Sequence, residues 1–499
     1  MMLSVAEIKN IWNGWIESSF NPWVGAKFSS EEISDRLDLD YNSDGAFCFF
    51  KIDNGSVEVD PFTARDRPYM VDVSHPMGLR VNFFLALLKD AVRNFGVSGS
   101  ARICLFVADE YVSDLRGPVF FFQKPKGGRA LLLPDIDLII LGYCADSDGR
   151  FGDSVAWEDK RSHAIFVGST TGNVPLTAQH VHQRSNARIR AAMFFRGHDN
   201  VAFELPNICQ VDSEETKNLI ESLDIAGPGR DWIEQQKSRY QISIDGNGAT
   251  CARVSISLHS KSVLMMYDSN NHLYYFDGLI PWTHYIPIVE DLNILRVLED
   301  SDRFEEVHSE IAKRSRVFAQ QILTRHAILS YTARLLQNYI NEFGSDGGVV
   351  ANDHSDPFVD SRVHLQGVGD YYADFGAWNG LEGRPIEGFT LIPANGLISE
   401  HVGYAAIAED GRVFHVDGDG LYCGTRGQSL ALRGMTAQLQ NGADEKYQMT
   451  IMERFADGHE RTNRGGEMLI AHTAPLISFR IDIKPIEKEK LKPWWNFWS

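Results

Sequence analysis

Tyr240-Gln-Ile-Ser-Ile244, Asp245-Gly-Asn-Gly-Ala-Thr250 and the run opened by Arg253, continuing through Leu273-Tyr-Tyr-Phe-Asp-Gly-Leu-Ile-Pro281 to His284-Tyr-Ile-Pro-Ile-Val-Glu-Asp-Leu292, read as a strand, a polar turn and a helix. A helix entered through Gly246, Asn247, Gly248 and Thr250 leaves backbone N–H groups without intrahelical partners, and Arg253 in its first turn adds a forked cation. The unit is shaped for an anion such as a diphosphate. The plainer alternative is a glycine-rich connection that holds no ligand.

Outward from this block the pattern alternates between strand and helix periods. Ala46 to Ile52 reads as a buried strand, Val81 to Phe95 as a helix, Ala101 to Ala108 as a strand and Ile136 to Leu141 as another. The alternation continues with strand Ala164 to Val167, helix Asn186 to Phe195, strand Tyr240 to Ile244, helix Ala252 to Ser260 and strand Val263 to Tyr267. This predicts an α/β fold with two Rossmann-like domains built on parallel sheets, their strand C-termini turned toward a shared cleft. Apolar residues between Ser309 and Phe343 fall at helical spacing, with Gly344 as the stop, and are expected to pack on the second domain.

From Val349 to Ile483 short glycine-punctuated strands replace that pattern and recur about every 45 residues. Trp378-Asn-Gly380 with Ile386-Glu-Gly-Phe389, Val416-Asp-Gly418 with Leu432-Arg-Gly-Met435, and Phe455-Ala-Asp-Gly458 with Ala474 to Phe479 form the copies, which align Gly388, Gly434 and Ser478. An all-β domain of three repeats, a trefoil or a prism, is predicted. The first two copies partly resemble clostridial hydrophobic repeats, and the domain is expected either to bind carbohydrate or a partner, or only to stabilise the rest. The expected domains are 1–155, acceptor-side; 156–344, donor-binding; 345–484, β repeats; and 485–499, a tail.

Composition narrows the function. The 499 residues carry a formal charge of -19, which opposes a nucleic-acid partner because phosphate contacts need concentrated Lys and Arg. The first residues lack the basic-then-apolar order of a secretory signal, and no apolar run is long enough to span a membrane. Six cysteines without Cys-x-x-Cys spacing suggest neither zinc nor a disulfide framework and suit a reducing cytoplasm. In the tail, Trp494, Trp495 and Trp498 beside lysines are read either as a peripheral membrane contact or as cover for an apolar patch.

Three further motifs precede the opening block: Trp157-Glu-Asp-Lys160, Ala164-Ile-Phe-Val-Gly168-Ser-Thr-Thr-Gly172 and Asn186-Ala-Arg188. Taken in order, from about Pro134 to Phe343, they resemble the family of Rumi-like protein O-glucosyltransferases, fungal capsule-associated transferases and bacterial lipopolysaccharide-modifying transferases. The resemblance implies a GT-B-type enzyme that moves a sugar with inversion from a nucleotide donor, UDP-linked by expectation, to a glycan or glycolipid acceptor such as lipopolysaccharide or capsule. It needs no cofactor and by expectation no metal. Gly168, Ser169, Thr170 and Thr171 would line the donor side, with Arg188 approaching it and Arg253 on the diphosphate.

The same resemblance makes Tyr275 and His284 part of the donor wall and Glu290 and Asp291 acceptors for ribose hydroxyls. A helix-cap role for Asp291 and a structural role for His284 stand as the alternatives. For the base it points just past the strand predicted at Ile136 to Leu141, to Asp146 or Asp148. Their Asp-x-Asp spacing also occurs in cation sites. Val167 stands where the family usually has arginine, which leaves the donor open. A non-catalytic glycan-binding protein and a protein O-glycosyltransferase are the rival readings.

Overall fold

The computed structural model describes residues 2–24, 28–142, 153–249 and 251–486. Contacts divide the described chain into one unit running to Ser355 and another beginning at Asp356.

The first unit holds two five-stranded sheets. In the N-terminal one the order is Ser56–Val59, Phe47–Asp53, Ser100–Phe106, Phe120–Phe121, Leu131–Leu132. It is mixed, not parallel as expected. Phe47–Asp53 runs antiparallel to both neighbours, because Asn54 (φ 43°) and Gly55 (φ 89°) turn the chain back in two residues, the conformation that two-residue hairpins favour. Only the last three strands of the order are parallel. Phe47, Phe49, Ile103, Leu105, Phe120 and Leu131 are buried from both sides.

A second departure matters more. Residues Ile136–Ile140 form a short helix, not a strand, with Asp135 as its N-cap accepting from Leu138 N–H at 3.1 Å. An Asp-x-x-Leu opening after Pro134 favours capping chemistry over the β propensity of the isoleucines.

The second sheet is wholly parallel, in the order Ile286–Ile288, Val263–Tyr267, Ser238–Ser243, Arg161–Ser169, Val201–Asn207. Numbered along the chain its strands run 5-4-3-1-2, so the winding direction reverses between Arg161–Ser169 and Ser238–Ser243. Helices Ala187–Phe195 and Cys251–His259 follow these two strands. In open α/β sheets, ligands bind outside the strand C-termini at such a reversal. Three of its strands were expected, at Ala164 to Val167, Tyr240 to Ile244 and Val263 to Tyr267, with boundaries shifted by a few residues; Val201–Asn207 and Ile286–Ile288 were not.

Helices Glu305–Ile322 and Arg325–Phe343 complete the unit. Glu305–Ile322 packs on the second sheet's helix Cys251–His259, as expected of the region. Arg325–Phe343 instead returns to the N-terminal half against helix Pro76–Phe95, where Tyr331 Oη donates to Leu132 O (2.9 Å) and Gln337 Nε2 to Ser98 O (3.1 Å). Its apolar residues circle the whole helix, so it is buried on all sides.

The second unit is all-β within the described residues, with sheets of four, four and three strands. Its three long antiparallel pairs are Phe358–Leu365 with Ile386–Ala394, Val402–Ala408 with Leu432–Leu439, and Tyr447–Phe455 with Leu476–Pro485. Each pair slips register at one corresponding place: His364/Leu365, Ile407/Ala408 and Arg454/Phe455, opposite Gly388, Gly434 and Ser478. One detail of the repeat alignment changes. Gly424, not Gly418, matches Gly380, since each lies against a neighbouring pair's strand at φ 123° and 142°. A Cβ there would stand 2.4 Å from Glu387 O and 2.1 Å from Ile477 O. No helix among the described residues is long and apolar enough to cross a membrane.

Candidate active site

A cavity of about 480 Å³ opens at the winding reversal of the parallel sheet. One wall carries Phe166, Gly168, Ser169, Thr171, Arg188 and Arg253 with the Gly246–Ala249 turn, and the facing wall, from the N-terminal half, carries Arg80, Asp109, Gln123 and Asp137.

The glycine loop is built to let side chains under it. At Gly246 a Cβ would sit 2.4 Å from Thr171 Oγ1 and 2.8 Å from an Arg188 nitrogen, and at Gly248 it would sit 2.1 Å from the Gln123 amide. That amide accepts from Ala249 N–H at 2.9 Å and donates to Asp109 O, so it joins the turn to the opposite wall. For an anion held at this turn, we expect Gly246→Ala to displace the Arg188 guanidinium and weaken binding by roughly tenfold. Calorimetric titration checks this.

Arg188, 7% exposed, ties the two loops at the reversal together. It donates to Ser169 O (3.0 Å), Thr171 Oγ1 (2.7 Å), Ile244 O (3.2 Å) and Asp245 O (3.1 Å). Asn186 caps its helix by accepting from Ile189 N–H and also donates to the carbonyls of Thr170 and Thr171. Sequence reading had Arg188 approach the donor side; it lines the cavity and donates to the two loops.

Arg253 is the freer cation. It is held against Phe166 (4.4 Å) and Trp232 (4.8 Å), donates to Gln235 Oε1 (3.1 Å) and to Val167 O, and has no carboxylate partner among the described residues. Burial, then the neighbouring Arg188 charge, lowers its pKa to about 9; burial lowers that of Arg188 to about 10. Two desolvated guanidiniums repelling each other beside a cavity favour an anion there.

On the facing wall the Asp137 carboxylate accepts from Ala252 N–H at 3.0 Å, at the N-terminus of the helix that carries Arg253. Burial, chiefly, holds its pKa above the usual carboxylate range; Asp109 adds to the rise, while the Ala252 N–H and Arg80 oppose it. Asp135, fully buried, is pushed up to about 8 by burial and by Asp137. Burial thus disfavours ionisation of both carboxyls, and Asp135 is pushed up the further by the neighbouring Asp137 charge. Arg80 pairs with Asp109 at 2.8 Å.

The other residues expected at the site separate into four groups. Asn247 lines the cavity, its Oδ1 accepting from Gly172 N–H. Thr170 lies under the loop, hydrogen-bonded both ways to the Cys209 backbone. Tyr275, His284, Glu290 and Asp291 stay outside the cavity. Tyr275 is fully buried beside Tyr274 and Phe276. His284 accepts from Ile280 N–H and packs on Phe318, and burial lowers its pKa to about 4. Glu290 caps helix Asp291–Glu299, and Asp291 takes both Arg190 nitrogens at 3.1 Å and the Tyr267 hydroxyl at 2.7 Å. Asp146, Asp148 and Thr250 lie outside the described residues, as do Trp494, Trp495 and Trp498.

Sequence reading missed Asp137, Gln123 and Trp232. For Asp137 a signal existed: two carboxyls within an apolar run carry a burial cost that structure or function must offset.

Residues 150–346 match glycosyl transferase family 90. Protein O-glucosyltransferase 3 of Homo sapiens is 29% identical over 104 residues, which is 21% of this chain and 20% of its own length. Protein O-glucosyltransferase 2 of Danio rerio is 32% identical over 104 residues, 21% of each chain. The chain thus spans about a fifth of the length of the curated relatives it matches. The matched segment contains Gly168, Ser169, Thr171, Arg188 and Arg253 but not Asp137 or Gln123. Trp157 and Lys160, which open the motifs that carry the resemblance, have structural surroundings. Lys160 is fully buried against Asp153 at 2.7 Å and also donates to Gln236 O, while Asp153 accepts from Lys261 N–H.

Proposed function

We propose that this protein is an inverting glycosyltransferase of GT-B type that takes a sugar from a nucleotide diphosphate donor, UDP-linked by preference, and transfers it to a hydroxyl of a cell-surface glycan such as lipopolysaccharide or capsule. The observation that carries the reading is one cavity, at the winding reversal, with Arg253 on one wall and Asp137 on the other.

In this reaction the diphosphate lies against Arg253 and the N–H groups of Asn247 and Gly248, since Gly246 N–H donates to Gly248 O and Ala249 N–H to Gln123. Asp137 takes the proton of the acceptor hydroxyl as its oxygen attacks the anomeric carbon from the face opposite the diphosphate. The C–O bond to the diphosphate breaks, its electron pair leaves with the phosphate oxygen, and Arg253 stabilises the charge that develops there. A buried guanidinium acts more strongly on that charge than an exposed one, because less water screens it.

A second reading, transfer to a serine or threonine hydroxyl of a protein, is supported by the similarity to protein O-glucosyltransferases. A cytoplasmic setting belongs to the first reading; Cys48, Cys104, Cys209 and Cys423 are free thiols, which supports it.

Incubating the full chain with a panel of UDP-, GDP-, CMP- and dTDP-sugars, and assaying released nucleotide with and without oligosaccharide or folded-protein acceptors, tests both readings. The first predicts UDP release stimulated by oligosaccharide, with inverted anomeric configuration in the product. Stimulation by protein alone selects the second. No release from any donor sinks both.

A further inference from the structure

The β unit has its own cavity, of about 470 Å³, on the outer face of its second strand pair. Its origin lies in the repeat. Aligned by their register slips, Asp360, Gly403 and Thr450 occupy one position, and Arg362, Ala405 and Met452 the other outward position two residues on. In the first pair Asp360 and Arg362 fill this face and are themselves buried. In the third, Thr450 and Met452 lie opposite Asp482 and Arg480, which pair with each other at 2.9 Å. The second pair has almost no side chain at either place, and the floor is bare.

What surrounds the floor is polar. Asp417 and Gln438 flank Gly403 in register, and His415 and Thr436 flank Ala405. The segment after Gly465 forms the remaining side, held to strand Leu432–Leu439 by Gly466 N–H on Ala437 O (3.0 Å), His472 N–H on Arg433 O (2.7 Å) and the Thr436 hydroxyl on Glu467 O (2.8 Å). It contributes Glu467 and the apolar Leu469.

We propose that this cavity binds a neutral hexopyranose unit of a glycan. Planar carboxylate, amide and imidazole groups around a small apolar floor match a ring that presents hydroxyls at its edge and C–H groups on its face. No Lys or Arg lines the cavity, whereas Asp417 and Glu467 do, so uronic, sialic or phosphorylated sugars meet like charge. The choice of sugar as the ligand class rests in part on the transferase reading; the cavity and its charge do not.

Saturation-transfer NMR on the full chain, with methyl glycosides of glucose, galactose, mannose and N-acetylglucosamine, their oligomers, and glucuronic acid, tests it. We expect signal from one or more neutral sugars and none from glucuronic acid. Gly403→Asp with Ala405→Arg, which installs the first pair's residues, should abolish the signal. The nearest atoms to a Cβ added at Gly403 belong to side chains and not to backbone, the closest being the terminal Oε1 of the Gln440 side chain at 3.0 Å. Should that double variant unfold, Gln438→Ala, an exposed position, should weaken binding roughly tenfold. Absence of neutral-sugar signal from the wild type, preference for glucuronic acid, or binding unchanged in the folded variants overturns the proposal. Nucleotide release separates this from the transferase reading. A chain that turns over donor but binds no sugar here loses only this inference, and one that binds sugar here without donor turnover loses only the transferase assignment.

Discussion

Asp137→Asn is expected to reduce sugar transfer by about 10²–10⁴-fold, the range that a positioned general base contributes, while UDP affinity stays within a few-fold. The separation follows from the geometry. Asparagine keeps an oxygen to accept the Ala252 N–H, so the helix that carries Arg253 keeps its place, yet the amide takes no proton from an acceptor hydroxyl. Initial rates of transfer and calorimetric UDP titration of the same preparation measure the two effects. A variant within tenfold of wild-type activity removes Asp137 from the chemistry.

The pH profile gives an independent reading of that carboxyl. A general base works only when ionised, and burial raises the pKa of Asp137. Wild-type kcat/KM should therefore fall as pH falls through a value above the ordinary aspartate pKa of about 3.9, and the asparagine variant should lack that limb. An acid limb at the ordinary value would show that solvent reaches the carboxyl in the free enzyme, which is what kcat/KM reports.

Arg253→Ala is expected to weaken nucleotide diphosphate binding by about 10²-fold. Hydrogen bonds to a charged group contribute about 1.5–3 kcal/mol each, and one fork on the diphosphate makes at least one of them. Removing Arg253 leaves no carboxylate unpaired among the described residues, so folding should survive better than after loss of one partner of a buried ion pair. Calorimetry with UDP, beside a thermal melt, measures both. Arg253→Lys should recover little, since an ammonium reproduces neither the fork nor the stacking on Phe166 and Trp232. Unchanged UDP affinity in Arg253→Ala would refute the donor-site assignment.

Much of the site was legible because it is local. Gly246 and Gly248, Asn186 as a cap before Arg188, and Arg253 just inside its helix are short-range features of turn and cap chemistry, and all but the cap itself line one cavity. Tyr275, His284 and Asp291 were drawn in by the resemblance of their segment to the family's donor-side wall. Each satisfies a packing demand instead: Tyr275 in the core, His284 on Phe318, Asp291 between Arg190 and Tyr267.

The helix at Ile136–Ile140 shows where local reading failed. Isoleucine-rich pentapeptides suit strand or helix equally by periodicity, and the Asp135 cap and its packing on helix Cys251–His259 settled the matter. The mixed N-terminal sheet has a similar cause, since a two-residue turn at Asn54-Gly55 outweighed the βαβ pattern elsewhere.

By itself the sequence determined the strand-turn-helix that carries Arg253, three strands of the parallel second sheet and the spacing of the β repeats, because periodicity, caps and glycine turns act over a few residues. Only the tertiary structure decided that Asp137 faces the helix of Arg253, that Arg188 serves mainly to join two loops, and that the second β pair is hollow where its sisters are filled. Those facts depend on contacts between residues far apart in the chain, and burial, which sets the charge state of Asp135 and Asp137, exists only once those contacts form.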